Sequence, residues 1–217
     1  MKRIAFISLL AFAATINVSA QHLRYGATAG ANITIPSEHF DSRVGFHIGA
    51  KMEIGLPSIA EGLFLDATLS MTQKPMKNSL GFDTYGENGN LAPVEGWGEQ
   101  TLTPTYLQLA LQPAYRFGIG NGFGLFVKGG PYVATGIFGN SKVKWNTSNG
   151  TLGSDKEGVF KHAMNRFDWG LGVAVGAEFG KHLQFTVGHD WGLKKLDKDG
   201  VSNLKHRVLS LSLAYMF

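Results

Sequence analysis

Cysteine is absent from the 217 residues, which excludes disulfide staples and thiolate metal sites alike. Basic charge is not concentrated anywhere: Lys and Arg number 20 against 16 acidic residues, scattered without a block or stripe that could track a phosphate backbone, so no nucleic-acid partner is expected. The seven histidines stand singly and no two have helical metal-ligand spacing, so no metal or other cofactor is expected. Gly118-Ile-Gly-Asn-Gly122 has no helix-like segment after it, which makes it a hairpin turn and not a phosphate cradle.

What is present begins with an export signal. Lys2 and Arg3 precede an uncharged apolar run, Ile4 to Ile16, which is too short to cross a bilayer as a helix. Val18-Ser19-Ala20 then supplies small residues at a cleavage position, so cleavage is expected between Ala20 and Gln21, with residues 1–20 as signal peptide. Removing Lys2 and Arg3 from the 20 basic residues leaves 18 against 16 acidic, a nearly neutral mature chain. Residues 21–217 make one domain of ordinary size.

Within that domain apolar residues recur at every second position. Leu209, Leu211, Leu213, Tyr215 and Phe217 alternate with Ser210, Ser212 and Ala214, a period that fits a strand and would leave a helix apolar all round. Tyr106 to Phe117 and Arg166 to Gly180 alternate as clearly. Leu23 to Thr34, Val44 to Gly55, Gly62 to Thr72, Phe123 to Ile137 and Leu183 to Leu193 do so with more noise, which makes eight strands of about ten to fifteen residues each. Connections alternate in length. Gly55 to Gly62, Gly118 to Gly122 and Gly180 to His182 are short, whereas Thr72 to Pro104 and Gly139 to Asn165 read as long polar loops. The expected fold is therefore an all-β, eight-stranded antiparallel up-and-down transmembrane barrel, with termini and short turns in the periplasm and loops outside.

A soluble lipocalin-like barrel would carry the same alternation inside out. Glycine argues for lipid outside: Gly30, Gly172, Gly176 and others fall on the polar face, where a narrow lumen needs small residues beside long ones. That face also carries Arg24, Lys51, Glu53, Asp66, Arg116, Lys128 and Glu178 in the periplasmic half, with Asp168 and Asp190 higher, an expected interstrand charge network filling the lumen. Aromatic girdles are expected at Tyr25, Tyr115, Phe117, Phe123, Phe179, Phe185, Tyr215 and Phe217 on the periplasmic side, and at Phe46, Tyr106, Trp169 and Trp191 on the outer side.

Tyr106-Leu-Gln-Leu-Ala-Leu-Gln-Pro-Ala-Tyr-Arg-Phe117, Gly129-Gly-Pro-Tyr-Val133, Phe167 to Phe179 and the terminal Leu-Ala-Tyr-Met-Phe217 resemble the PorT-like outer-membrane β-barrel proteins of Bacteroidetes-type bacteria. The resemblance implies an eight-stranded barrel without a catalytic set, some members assisting secretion or gliding machinery. Leu213, Tyr215 and Phe217 look like a C-terminal signal read by barrel-assembly machinery through strand addition. The expected function is a non-enzymatic, monomeric outer-membrane protein in contact with outer-membrane lipid, its loops presenting a binding surface with Trp97 and Trp145 as candidate anchors. A lipid-modifying enzyme would need partners for His189 on the lipid face, and Leu209 and Leu211 supply none. A role in a secretion apparatus would use the short turns, around Glu61 and Asn121.

Overall fold

The computed structural model describes residues 23–35, 40–84, 94–120, 122–147, 150–161, 164–196 and 204–217. The expected signal segment and the Ala20/Gln21 cleavage position lie outside them.

Ten strands follow in chain order: β1 (Leu23–Thr34), β2 (Phe40–Gly55), β3 (Leu63–Gln73), β4 (Met76–Thr84), β5 (Val94–Gly120), β6 (Phe123–Thr147), β7 (Gly150–Gly158), β8 (Phe167–Phe179), β9 (Leu183–Gly192) and β10 (Arg207–Met216). All pairings are antiparallel, and the ladder from Gly26↔Met216 to Thr34↔Val208 joins first strand to last, leaving no open edge in the ring. The ring has eight staves, because two are broken. β3 and β4 hold one register on β5, Gln73↔Thr105 continuing as Met76↔Leu102. Pro75 and Pro104 have no N–H to give the ladder between them, and the Lys74 amide donates to the Pro104 carbonyl at 3.0 Å. The other broken stave is β7 and β8, which lie end to end along β6, against Asn140–Thr147 and Phe123–Thr135 respectively. The chain between them leaves the sheet and carries Val159, Phe160 and Met164 into the barrel mouth.

Period-two alternation places each face. Leu211 and Val173 are 42% and 49% exposed on the outside, while Asp66 and Glu53 on the inside are 0% and 2%. The lipocalin-like reading is thereby excluded: the hydrocarbon-rich side is the outer wall. Inward glycines admit long neighbours. A Cβ on Gly176 would lie 2.3 Å from the Phe126 ring, and one on Gly30 2.6 Å from the His47 ring. At one end the hairpins are tight, with Gly180 and Lys181 both at positive φ (58° and 64°), the pair required by a two-residue turn matching strand twist.

Two sequence expectations are corrected. The segments read as long loops are largely strand, since β4, the first part of β5, the last part of β6 and β7 form a four-stranded sheet projecting from the end opposite the tight turns. β5 and β6 are 27 and 25 residues long, well beyond the ten to fifteen expected. Tyr106 belongs to no girdle: it is fully buried inside the mouth, because β5 starts at Val94 and Tyr106 is therefore mid-strand, on the inward parity of Gln108 and Gln112.

Candidate functional site

The interior is filled in three layers. Nearest the tight turns, inward positions near the strand ends bring charges together from around the ring. Arg24 Nη1 lies 3.1 Å from Glu53 and 3.0 Å from Glu178, and Arg116 Nη2 lies 2.6 and 3.1 Å from the same two carboxylates. Lys51 Nζ lies 3.1 Å from Glu53 and 3.0 Å from Asp66, whose Oδ2 also meets Lys128 at 3.1 Å. Gln184 Nε2 donates to Glu53 at 2.8 Å and to Glu178 at 2.7 Å. Phe64 lies under the Arg116 guanidinium at 4.4 Å, and Phe126 packs edge-on against Phe64. Ions persist there because each carboxylate has bases and donors around it.

Above this lies a chamber of about 100 Å³, lined with hydroxyls and amides including Thr28, Thr186, Ser210, Ser212 and Gln112. Asp190 faces it and accepts from Gln108 Nε2 at 3.0 Å. His47 is held between Asn32 Oδ1 (2.8 Å) and Ser212 Oγ (3.0 Å). The volume suits a handful of waters and is far from a diffusion channel.

The third layer closes the mouth. Lys74 Nζ meets Asp168 at 3.1 Å and sits over the Tyr132 ring at 4.8 Å, while Tyr132 Oη donates to Asp168 at 3.3 Å. Tyr106 packs against Phe160 and His206, and Met76, Leu102, Met164, Leu196 and Leu204 complete an apolar cap. Burial pushes the His206 imidazole down to about 3, with Lys74 adding to the shift.

Of the nine lumen charges read from sequence, eight enter ion pairs; Asp190 has none among the described residues. Lys74 was missed, because Pro75 reads as the end of its strand. It is the partner of Asp168, and it brings the named lumen charges to five bases and five acids. A signal was available: Lys74 continues the inward parity of Ser70 and Thr72. Gln184, Tyr132 and His47 were also missed; polar but uncharged or singly placed, they carry no pattern of their own.

On the outer wall, Leu213, Tyr215 and Phe217 all face outward, and the Phe217 amide donates to the Tyr25 carbonyl at 2.8 Å. His189 packs against Trp191 at 4.5 Å, with Val173 and Leu209 as its cross-strand neighbours, and neither is a nucleophile or an acid. Among the described residues no cluster of His, Asp and Glu could hold a metal. Trp145 stands exposed on the projecting sheet, and the Trp97 side chain lies outside the described set.

A continuous apolar outer wall, a closed hydrogen-bonded ring and a lumen packed with paired charges define a transmembrane β-barrel. The chain belongs to the outer membrane protein beta-barrel domain family, whose model matches residues 10–198. No curated protein matches it. Among solved structures it is similar to Ail, the attachment invasion locus protein of Yersinia pestis (14% identity, 89% of this chain and 98% of that one, TM-score 0.41). It is similar also to Neisserial surface protein A (14%, 90% and 97%, 0.42) and to the N-terminal barrel of Pseudomonas aeruginosa OprF (13%, 88% and 97%, 0.33).

Proposed function

We propose that this is a non-conducting, non-enzymatic outer-membrane protein that uses its barrel as a rigid base for a binding surface outside the cell. The observation that carries the reading is a lumen occupied by ion pairs at one end and an apolar cap at the other, beneath a sheet that keeps going. Past the exposed aromatics Phe46, Phe138, Phe167, Trp169 and Trp191, β6 continues from Gly139 to Thr147, about 30 Å along the strand, with β5 and β7 paired on either side of it. Tight turns and termini then lie in the periplasm, as is usual for such barrels. Export by a cleaved signal peptide, assembly by barrel-assembly machinery that reads Leu213, Tyr215 and Phe217, and a monomeric state in outer-membrane lipid belong to the same proposal.

Two measurements test it. In planar bilayers the purified barrel gives no conductance steps. A variant whose sheet beyond Leu102 and Asn140 is replaced by short turns still inserts and still shifts on gels when heated, yet reproduces the adhesion or secretion phenotype of gene deletion. A sheet-less variant indistinguishable from wild type, beside a deletion with a phenotype, removes the reading.

A second reading, the PorT-like one, places the partner in the periplasm as part of a secretion or gliding apparatus. It is favoured by a recess at the turn end between Glu61, Gly62, Tyr115, Arg116 and Phe117. A photocrosslinker at Glu61 that traps a protein in cells, with none trapped from Lys144, would select it.

A further inference from the structure

The lipid-facing wall is not evenly furnished. Val127, Val175 and Val187 stand side by side on β6, β8 and β9, and the next outward row holds Gly129, Val173 and His189. Longer side chains border these rows, Leu111, Leu171 and Trp191 on one side and Phe117, Leu125 and Phe185 on the other, where Ala177 between the last two is short. The short rows form an apolar groove of about 570 Å³ from Leu63, at the turn end of β3, to Leu209, near the opposite end of β10. Its floor is bare backbone at Gly129, where the β5–β6 ladder is interrupted between Ala110↔Tyr132 and Ala114↔Lys128. Prolines on both strands, Pro113 and Pro131, account for lost ladder donors there. Five strand spacings of about 4.8 Å give the groove a length of about 24 Å. With strands tilted by roughly 40°, it descends about 15 Å, the depth of one leaflet.

The groove's upper end is chemically distinct. His189 contributes an imidazole, Trp191 stands against it, and Arg207 lies directly across the ladder from Trp191. Lys194 sits over the exposed Phe167 ring at 4.9 Å on the same rim. No outward position of β8, β9 or β10 is acidic. Cationic groups at the interface above an apolar trough match an anionic head on a hydrocarbon tail.

We propose that this groove holds an acyl chain of a phosphate-bearing lipid in the leaflet beside the projecting sheet, with Arg207 and His189 receiving the phosphate. The inference does not depend on the proposed surface role, since a barrel without its sheet keeps the groove. The probe is phosphatidylglycerol brominated mid-chain, incorporated as a minor component in phosphatidylcholine vesicles holding the full-length protein, with quenching of tryptophan fluorescence as readout. Brominated phosphatidylcholine is the control. Wild type is expected to enrich the anionic probe severalfold over the control. Val175→Phe, which fills the trough, and the double variant Arg207→Gln, His189→Gln, which removes the head contacts, are each expected to abolish the enrichment. Retained heat-shifted mobility shows that both variants are folded. Equal quenching by the two lipids in wild type overturns the proposal. So does enrichment that survives Val175→Phe, or that inorganic phosphate alone displaces, because the site would then hold an anion and no chain.

Discussion

Asp66 serves two ammonium groups at once, and removing its charge would leave Lys128 without its ion-pair partner and Lys51 with Glu53 alone. Asp66→Asn should therefore cost about 3–5 kcal/mol, the range for breaking a buried pair from one side, read as a lower urea midpoint for unfolding from vesicles. Gly176 makes the opposite kind of demand, for absence of bulk. Gly176→Val drives its side chain into Phe126 and should cost about 1–3 kcal/mol, and pairing it with Phe126→Leu should recover part of the loss. A double variant no better than the single would mean that the strain lies in the backbone. On the outer wall, Val175→Arg meets hydrocarbon and should cost about 2–4 kcal/mol in the same assay.

Strands are the scale at which the sequence was most readable, and the reason is physical. Each stave meets lipid on one side and a packed lumen on the other, so every second residue is constrained and the period survives in the residue types. Legibility failed where that constraint changes. In the sheet that projects past the ring, made of β4, β7 and the adjoining parts of β5 and β6, the alternation fades, and Gly, Asn, Ser and Thr read as loop. Tyr106 was misplaced for a related reason: taken as the end of its strand it reads as an interfacial aromatic, although it shares the inward parity of Gln108 and Gln112. Lys74 was hidden behind Pro75, although two residues without N–H interrupt a ladder without ending the strand. The last strand yields a prediction of its own. Phe217→Ala leaves the β1–β10 ladder intact and should slow insertion by the assembly machinery in cells while leaving refolding into pure lipid nearly unchanged. Equal slowing in both settings would make Phe217 a packing residue only.

For the whole molecule, acidity is the lever that the cap exposes. His206 is buried with Tyr106 on one side and with Lys74 and Asp168 near enough to act on it, and burial holds its folded pKa near 3 against 6.5 for a free imidazole. The native state thus binds fewer protons than the opened one. The contribution of His206 to cap stability is whole above about pH 6.5 and is lost as pH falls from there toward about 3. Hydrogen exchange at the Leu196 amide, which donates to the Leu204 carbonyl at 3.0 Å, should report this as faster opening in acid after correction for intrinsic rates. His206→Gln should flatten the dependence.

The ionic layer has a consequence for how the barrel comes into being. Arg24 and Glu178 are 154 residues apart, and Arg116 reaches Glu53 across 63. Arg116 needs only β2, β3 and β5 to reach Glu53, whereas Arg24 meets Glu178 only once β1 has paired with β10, after the entropy of bringing the first and last strands together has been spent. The charges therefore act as a latch. A sheet that has not closed holds Arg24 apart from Glu178 and Gln184 apart from Glu53, and pairing β1 with β10 gains both contacts at once.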